Sequence, residues 1–404
     1  QEWDLCRIKT LFDIIGGNGF KEHLQGNESG DYPFFKVSDI NGDGLYTERA
    51  ANYVSSAIAK EHRFNLIPSK SIIMSKIGEA LKKNHRKISS TDCFIDNNLQ
   101  ALVSIFDIDE RYYYYVFCCI NMEWFDNGGT IPSVNNQRLR DFKITRPTKK
   151  QQTQICRYLD SKCSEIDALI AAKEKTNALL KEQRQSIIYE AVTKGLDPAV
   201  PMKDSGVEWI GEIPERWTIA ALKRLGVPAT GSTPPKDNQD YWEGVIPWVS
   251  SKDMKSDYLL DSEDHITQKA VDECGLTVFK PGTLIFCVRS GILRHTFPVA
   301  VATIPVTINQ DLRALSLTEN VNSAFLLYYM RGMNDTIVKL YQKIGATVES
   351  IEMNWFLYFP VALPPLDEQN YIAETLDSRC ASLDQIMMQN EIIISQLKEY
   401  RQSL

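Results

Sequence analysis

The sequence has few of the features by which enzymes, metalloproteins and membrane proteins are recognised. It contains five histidines in 404 residues, and none has carboxylate or cysteine neighbours at the spacing of metal ligands or a catalytic site. The Asn-Pro-Pro-aromatic and Asp-Pro-Pro-aromatic motifs of methyltransferases do not occur. The apolar runs near 298–308 and 356–366 are shorter than a membrane span and are broken by proline. These absences argue against a catalytic site, a metal centre and a membrane role.

CxxC cysteine pairs and an excess of positive charge are also absent. The nine cysteines are an odd number, and Cys156 and Cys163 fall on one predicted helix face, so buried thiols in a reducing cytoplasm fit better than disulfides or zinc. The 45 basic and 52 acidic residues give a net charge of -7, unlike a simple nucleic-acid binder. Phosphate would have to be attracted by local basic clusters or by a basic partner subunit.

Two glycine-rich stretches imitate ligand-binding loops but do not complete them. Residues 226–233 nearly match a phosphate-binding loop but lack its lysine. The stretch from Asp39 through Asp43 to Gly44 imitates the start of a calcium loop, whose twelfth position must be glutamate and is Ala50 here. We therefore expect neither a cofactor nor a metal.

The sequence does contain an internal repeat. A shift of about 217 positions places residues 147–187 on residues 364–404, with about fifteen identities in roughly forty positions. The identities include Gln152 with Gln369, and the tripeptide Leu-Asp-Ser at 159–161 and 376–378. The pattern predicts a tandem duplication.

Both copies are predicted to form long helices. Residues 159–191 and 376–404 carry mostly apolar side chains at alternating spacings of three and four, which is typical of a coiled coil. Lys173, Asn177 and Asn390 interrupt this seam, and such polar residues weaken a seam but fix its register. Helices of this length do not fold alone, so we expect them to pack on each other. Two unrelated core helices are the alternative.

The segments that precede the two helices also match. Asp39 aligns with Asp253 and residues 95–99 align with 308–312, while most side chains differ. Strands are predicted at 32–37, 71–77, 99–105, 246–249, 283–288 and 311–317, and helices at 112–120 and 323–333. The predicted segments are a globular domain at 1–146, a long helix at 147–196 that ends at Gly195, a linker at 197–214, a globular domain at 215–363 and a long helix at 364–404.

Three stretches resemble the specificity subunit of type I restriction-modification systems. They are Gly206-Val-Glu-Trp-Ile-Gly-Glu-Ile-Pro-Glu-Arg-Trp217, Gly231-Ser-Thr-Pro234 and Pro364-Pro-Leu-Asp-Glu-Gln369. The resemblance extends over essentially the whole chain. The first half departs from it with Gly16-Gly-Asn-Gly19 and Pro147-Thr-Lys-Lys-Gln-Gln152 at the matching places.

The resemblance implies an α/β fold class, in which two α/β target-recognition domains alternate with two long helices. These helices pair as an antiparallel coiled coil in a pseudo-twofold repeat. It further implies a non-catalytic cytoplasmic subunit that binds double-stranded DNA and docks two DNA-methyltransferase subunits, and restriction subunits through the complex. Because the two domains diverge in their loops, the target is expected to be bipartite and asymmetric.

Two alternatives remain open. One is an enzyme that acts on nucleotides, which turnover or cofactor binding by the isolated chain would reveal. The other is a coiled-coil scaffold without DNA readout, for which DNA selection would return no motif.

In a DNA-reading protein, basic residues at strand ends and in loops are the candidate contacts. The densest basic run, 82–87, follows a predicted strand and the turn at Gly78, and residues 289–295 follow the matching strand of the second half. Arginine and lysine fit phosphate oxygens and guanine edges, although most charge runs are only solvated surface. The predicted DNA-binding residues are Lys36, Lys76, Lys82, Lys83, His85, Arg86, Lys87, Thr233, Lys236, Lys252, Arg289, Arg294 and His295.

The chain is expected to continue beyond both ends. It starts at Gln1 without an initiator methionine, and the first half lacks the lead-in that precedes Trp217. The second helix stops at Leu404, which matches Ile187 inside the first.

Inserting a few residues in step into both long helices should lengthen the unread spacer of the target and leave the half-sites unchanged. The reason is that a helix pair would hold two reading domains over major grooves about one helical turn, roughly 34 Å, apart. Selection of bound DNA by the assembled methyltransferase complex measures both quantities. A continuous or palindromic motif, or a spacer that does not change, would contradict this arrangement.

Overall fold

The chain is described from a computed structural model, which defines residues 3–42, 44–343 and 348–404. It divides into two compact units, one of residues 1–168 with 403–404 and the other of residues 169–402. Both units combine helices with sheets, so the predicted α/β class is confirmed. None of the helices in the described ranges has an apolar stretch long enough to cross a membrane.

The first unit is built on a four-stranded antiparallel sheet in the order β2-β8-β5-β6. A second sheet has the order β4-β3-β7, with β3 and β7 parallel, and β1 pairs with β9. The strands are β1 (Asp4–Arg7), β2 (Phe12–Gly16), β3 (Tyr32–Phe35), β4 (Tyr53–Val54), β5 (Ile72–Ser75), β6 (Arg86–Ile88), β7 (Phe94–Ile95), β8 (Leu99–Ser104) and β9 (Lys143–Arg146). The helices are α1 (Ser56–Glu61), α2 (Glu110–Cys118), α3 (Asn136–Asp141) and the first part of α4 (Lys149–Lys194).

Helix α2 is the buried aromatic helix predicted at 112–120. Its Tyr113 and Phe117 are fully buried and make edge contacts with Phe12 of β2, at centroid distances of 5.2 and 5.9 Å. Aromatic side chains remove large apolar areas from water. This packing closes one face of the four-stranded sheet.

The second unit repeats the strand order of the first and adds further strands. Its main sheet has the order β13-β20-β17-β18, with β15 added at the edge, and a smaller sheet has the order β16-β14-β19, with β14 and β19 parallel. The strands are β10 (Met202–Asp204), β11 (Glu212–Pro214), β12 (Thr218–Ala221), β13 (Gly226–Thr230), β14 (Trp242–Val249), β15 (Tyr258–Leu259), β16 (Asp264–Ile266), β17 (Leu284–Cys287), β18 (Val299–Ala302), β19 (Thr307–Ile308), β20 (Leu312–Leu317) and β21 (Pro360–Leu363). The helices are α5 (Gln268–Cys274), α6 (Ser323–Gly332), α7 (Asn334–Tyr341), α8 (Met353–Phe356) and α9 (Leu366–Ser403).

The predicted long helices are α4, with 46 residues, and α9, with 38 residues, or roughly 70 and 57 Å at 1.5 Å per residue. Helix α4 begins with a capping box, because Thr148 N–H donates to Gln151 Oε1 and Gln151 N–H donates to Thr148 Oγ1. It ends where predicted, before Gly195, whose φ of +76° suits a residue without Cβ.

Within the second unit, α4 and α9 pair through a polar layer. Lys173 Nζ donates to Asn390 Oδ1 at 3.0 Å, and Asn390 Nδ2 donates to Asn177 Oδ1 at 2.8 Å. Further along α4, Arg184 approaches Asp384 at 3.3 Å. Partner numbers fall along α9 as they rise along α4, so the helices run antiparallel, as predicted.

The glutamine repeated in both helices ties each helix to the globular part of its unit. Gln152 Oε1 accepts from Asp109 N–H at 2.9 Å, and Gln369 Oε1 accepts from Asn322 N–H at 2.8 Å. Each Nε2 also donates to the carbonyl of the proline before its helix. Both side chains are buried, so these bonds replace the hydrogen bonds with water that the amides lose on folding.

The repeated aspartate has a second anchoring role. In the first unit, Asp160 accepts from Tyr115 Oη at 2.7 Å and from Arg111 Nη1 at 2.6 Å. In the second unit, Asp377 accepts from Tyr328 Oη at 2.6 Å. Burial, followed by the bond to the carboxylate, raises the pKa of both tyrosines. The tyrosines therefore remain neutral donors.

The predicted linker at 197–214 contains an ordered hairpin, β10-β11. Tyr189 of α4 donates its hydroxyl to the Trp209 carbonyl at 2.9 Å. The fully buried Trp217 donates its indole N–H to Glu368 of α9 at 3.0 Å. The Trp209 backbone and the Trp217 side chain therefore fix this hairpin and the following strand to the long helices.

Asn177→Ala should lower the free energy of unfolding by about 1 to 3 kcal/mol, because it leaves the Nδ2 donor of the buried Asn390 without its acceptor. The double change Asn177→Leu and Asn390→Leu should cost less, since it removes both polar groups. Urea unfolding followed by circular dichroism measures both, with the exposed Lys175→Ala as the control. Equal losses for Asn177→Ala and Lys175→Ala would contradict this role of the polar layer.

Candidate nucleic-acid interface

A tight turn between β7 and β8 lies at the centre of the candidate surface of the first unit. Its first residue, Asp96, is buried and accepts from Asn98 N–H at 2.8 Å. Three neighbouring segments form backbone hydrogen bonds with the turn and its flanks. Asn18 N–H donates to the Ile95 carbonyl, Asp96 N–H donates to the Phe35 carbonyl, and Lys76 N–H donates to the Asn98 carbonyl. Burial raises the pKa of Asp96, although its hydrogen bonds and the charge of Lys36 oppose this.

The turn between β19 and β20 repeats this geometry in the second unit. Asn309 is buried and accepts from Asp311 N–H at 3.0 Å. Ser232 N–H donates to the carbonyl before the turn, Asn309 N–H to Val249, and Arg289 N–H to Asp311. The predicted alignment of 95–99 with 308–312 is therefore correct. The loops carrying Thr233, Lys252 and Arg289 meet at this turn.

A close backbone approach holds the loop beside each turn. A Cβ on Gly17 would collide with the carbonyls of Ile95 and Asp96, and a Cβ on Gly231 would collide with those of Ile308 and Asn309. Only glycine fits at either position. Gly17 thus corresponds to Gly231, although the residues that follow differ between the two loops.

Lys36 and Lys76 are both half-buried beside the first turn. The Lys36 ammonium donates to Gln25 Oε1 at 2.6 Å and lies 5.5 Å from the centre of the Phe20 ring. The equivalents Asp39 and Asp253 both accept the backbone N–H three residues earlier, at 2.7 and 2.8 Å. Asp39 is therefore used as a cap, and Asp43 lies outside the described residues.

The basic run at 82–87 divides into an exposed part and a buried part. Lys82 and Lys83 are exposed and His85 is half-buried, whereas Arg86 and Lys87 belong to strand β6 and are each only 4 % exposed. All three residues of this short strand are buried, which a run of charged residues does not predict. The burial argues against direct DNA contact by Arg86 and Lys87.

Arg86 instead bonds to carbonyls near the end of α2. Its Nε and Nη2 donate to Asn84 at 3.2 and 3.1 Å, and Nη2 also reaches Ile120 at 3.4 Å. A cation near a helix C-terminus is favoured by the helix dipole. Burial nevertheless lowers the pKa of Arg86. The Lys87 ammonium donates to the Gly44 carbonyl at 2.7 Å.

In the second unit, Lys236 and Lys252 are exposed and line one cleft of about 310 Å³. Trp242 and Trp248 form its aromatic wall, with centroids 5.2 Å apart. Their indole N–H groups donate to the carbonyls of Pro235 and Ser232 at 3.2 and 3.0 Å. The tryptophans therefore fix the loop that carries Thr233 and Lys236.

Arg289, Arg294 and His295 are all exposed after strand β17. Arg294 Nε donates to Glu349 Oε1 at 2.9 Å, and this bond lowers the pKa of Glu349. In the first unit, Lys82 makes a comparable pair with Glu79 at 2.9 Å. Exposed ion pairs of this kind contribute little stability, so a phosphate could replace the carboxylate at small cost.

Each unit thus presents cations around one rigid turn, an arrangement suited to phosphate contact with base readout at the centre. The predicted DNA-binding residues do not include the turn-tip residues Asn97 and Gln310 or the wall residue Trp242. The alignment of 95–99 with 308–312 contained a usable signal, because it pairs an amide with an amide. Among the described residues, His, Cys, Asp and Glu form no group of three that could hold a metal.

Comparison with known proteins agrees with the architecture. Residues 1–181 and 214–394 match the family described as type I restriction modification DNA specificity domain. The chain is 28 % identical over 273 residues to the type I restriction enzyme EcoR124I/EcoR124II specificity subunit of Escherichia coli, covering 66 % of this chain and 62 % of that protein. It is 32 % identical over 189 residues to the MjaIX specificity subunit of Methanocaldococcus jannaschii, covering 46 % and 42 %. These matches span less than two thirds of either relative.

Solved structures share the fold. The HsdS subunit from Thermoanaerobacter tengcongensis aligns with a TM-score of 0.55 and 14 % identity over 99 % of this chain and 95 % of that one. A chain from a structure on complex assembly and conformational transition of the type I R-M system aligns with a TM-score of 0.75 and 14 % identity, over 99 % and 96 %. With two family matches that follow the two structural repeats, the chain belongs to the type I restriction modification DNA specificity domain family.

Proposed function

We propose that the chain is the DNA-reading subunit of a type I restriction-modification complex in the cytoplasm. Each unit contributes one recognition surface, so the target has two half-sites with an unread spacer. The observation that carries this proposal is the repeated turn: the same backbone framework presents different side chains in the two units. Different side chains on one framework read different bases, which makes the target asymmetric.

The chain itself carries no reaction in this proposal. Methylation belongs to two DNA-methyltransferase subunits that dock on it, and cleavage to restriction subunits that join through the complex. The cations of both turns suit phosphate, and the net charge of -7 implies that partner subunits add to the attraction for DNA. A scaffold without readout would have no need for the rigid turns and their basic borders.

The proposal is tested by selecting bound duplexes from a random pool with the chain assembled with methyltransferase subunits, and by mapping methylated adenines in the host genome. Both should return one asymmetric motif of two short half-sites. The isolated chain should neither turn over nucleotides nor methylate DNA. Selection without a motif would favour the scaffold, and turnover by the isolated chain would favour the nucleotide-acting enzyme.

Lys82→Ala with Lys83→Ala should weaken binding through one half-site. Each lost phosphate contact should reduce the slope of log affinity against log salt by about 0.9. Fluorescence anisotropy at several salt concentrations measures the slope. The matched control is Arg86→Ala, which should lower the thermal unfolding midpoint because it removes the side-chain donor to the Asn84 carbonyl and one of the two donors to the Ile120 carbonyl. An unchanged salt slope in the double lysine variant would exclude these phosphate contacts.

Arg289→Ala and Arg294→Ala should act on the other half-site. Each lost bidentate base contact should cost about 1 to 3 kcal/mol of discrimination. Glu349→Gln should act in the opposite direction and tighten binding, because it removes the carboxylate that competes for Arg294. Competition between duplexes altered in one half-site at a time measures these effects. Equal losses on both half-sites would contradict a separate recognition surface for each unit.

A further inference from the structure

The tips of the two repeated turns carry side chains of one chemical type. Asn97 follows the buried Asp96, and Gln310 follows the buried Asn309. Both tip residues are exposed. The surrounding side chains diverge between the units, with Lys36 in the first unit where the second has Ser250. An exposed carboxamide at the tip of the turn is thus a feature that the two surfaces share.

The turns hold these carboxamides on rigid backbone. In each unit, the buried first residue accepts the N–H two residues later, and neighbouring segments bond to the turn and its flanks. Gly17 and Gly231 lie in close contact with the carbonyls at the turns, so the loops that carry these glycines have no room to shift inward. A side chain that reads bases needs such a support, because imprecise placement loses the geometry of paired hydrogen bonds.

The two amides differ in what they can offer. Thr233 donates its hydroxyl to Gln310 Oε1, so this amide presents its Nε2 donor to a ligand. Asn97 has no hydrogen bond to its side-chain amide within the described part of the chain, so both its donor and its acceptor face solvent. Asparagine with both ends available matches the N6 and N7 edge of adenine. A lone donor matches an acceptor such as N7 or O6 of guanine.

We propose that Asn97 and Gln310 are specificity-determining residues, each reading one base pair at the centre of its half-site. Asn97 takes adenine through two hydrogen bonds, and Gln310 donates to a purine acceptor in the major groove. Thr233 is a positioning residue that fixes the direction of the Gln310 amide. This inference rests on the proposed DNA-reading function, and it adds to the cations of each surface one amide that reads a base pair.

The test is DNA selection with the full chain assembled with methyltransferase subunits, comparing the unsubstituted protein with Asn97→Ala and Gln310→Ala. Each variant should relax one base pair, in different half-sites, by roughly five- to a hundredfold in discrimination. Asn97→Asp removes the donor and keeps acceptors, so its preference should move from adenine toward cytosine. Thr233→Val should broaden the same base pair that Gln310→Ala relaxes.

The matched controls are Gln137→Ala and Gln268→Ala, exposed glutamines on α3 and α5, which should leave the motif unchanged. Thermal unfolding is measured for every variant. A motif unaltered by Asn97→Ala and Gln310→Ala, or a general loss of binding with a lowered unfolding midpoint, would overturn the reading role. An unsubstituted protein that returns no motif would instead overturn the proposed function, so the two failures are distinguishable.

Discussion

The structure depends on buried amide and carboxylate groups that join each globular fold to a long helix. Gln152 and Gln369 each bond to the globular part of a unit and to a proline two residues before the helix. Asp160 and Asp377 add a tyrosine bond about two turns later. A buried polar group is costly unless it is paired. These bonds therefore allow only one position of each long helix on its globular fold. This explains why the duplicated stretch retains these residues while the sheet surfaces differ.

The recognition surfaces depend on a different constraint, the contact of backbone with backbone at Gly17 and Gly231. This contact seats a loop against the end of a parallel strand pair and beside the following turn. The turn is then enclosed by backbone hydrogen bonds that do not depend on the identity of the exposed side chains. Side chains at the tip and border can therefore change without loss of the framework, which is what separate half-sites require.

The density of charge along the sequence did not indicate which charged residues are exposed. The run at 82–87 looked uniform, yet Arg86 and Lys87 are buried in β6, which pairs with β5, while Lys82 and Lys83 remain exposed. By contrast, Lys236 and Lys252 are sixteen positions apart in sequence and share one cleft. Burial and proximity follow from strand pairing and loop closure, and neither is encoded in the local density of charge.

The sequence by itself determined the duplication and two long helices that pack on each other, because repeated identities and apolar periodicity are local or tied to a fixed shift. The α/β class and the antiparallel direction of the helices were implied by the resemblance to the specificity-subunit family. The sequence also determined the helix end at Gly195 and the matching of 95–99 with 308–312, because the residues concerned have few alternatives. Tertiary structure alone decided that the stretch at 197–214 forms a hairpin against α4, that two of the predicted DNA-binding residues are buried, and that Asn97 and Gln310 occupy the turn tips. The reason is physical: whether a polar side chain faces solvent, a carbonyl or a ligand is set by non-local hydrogen bonds and close backbone contacts that no local pattern specifies.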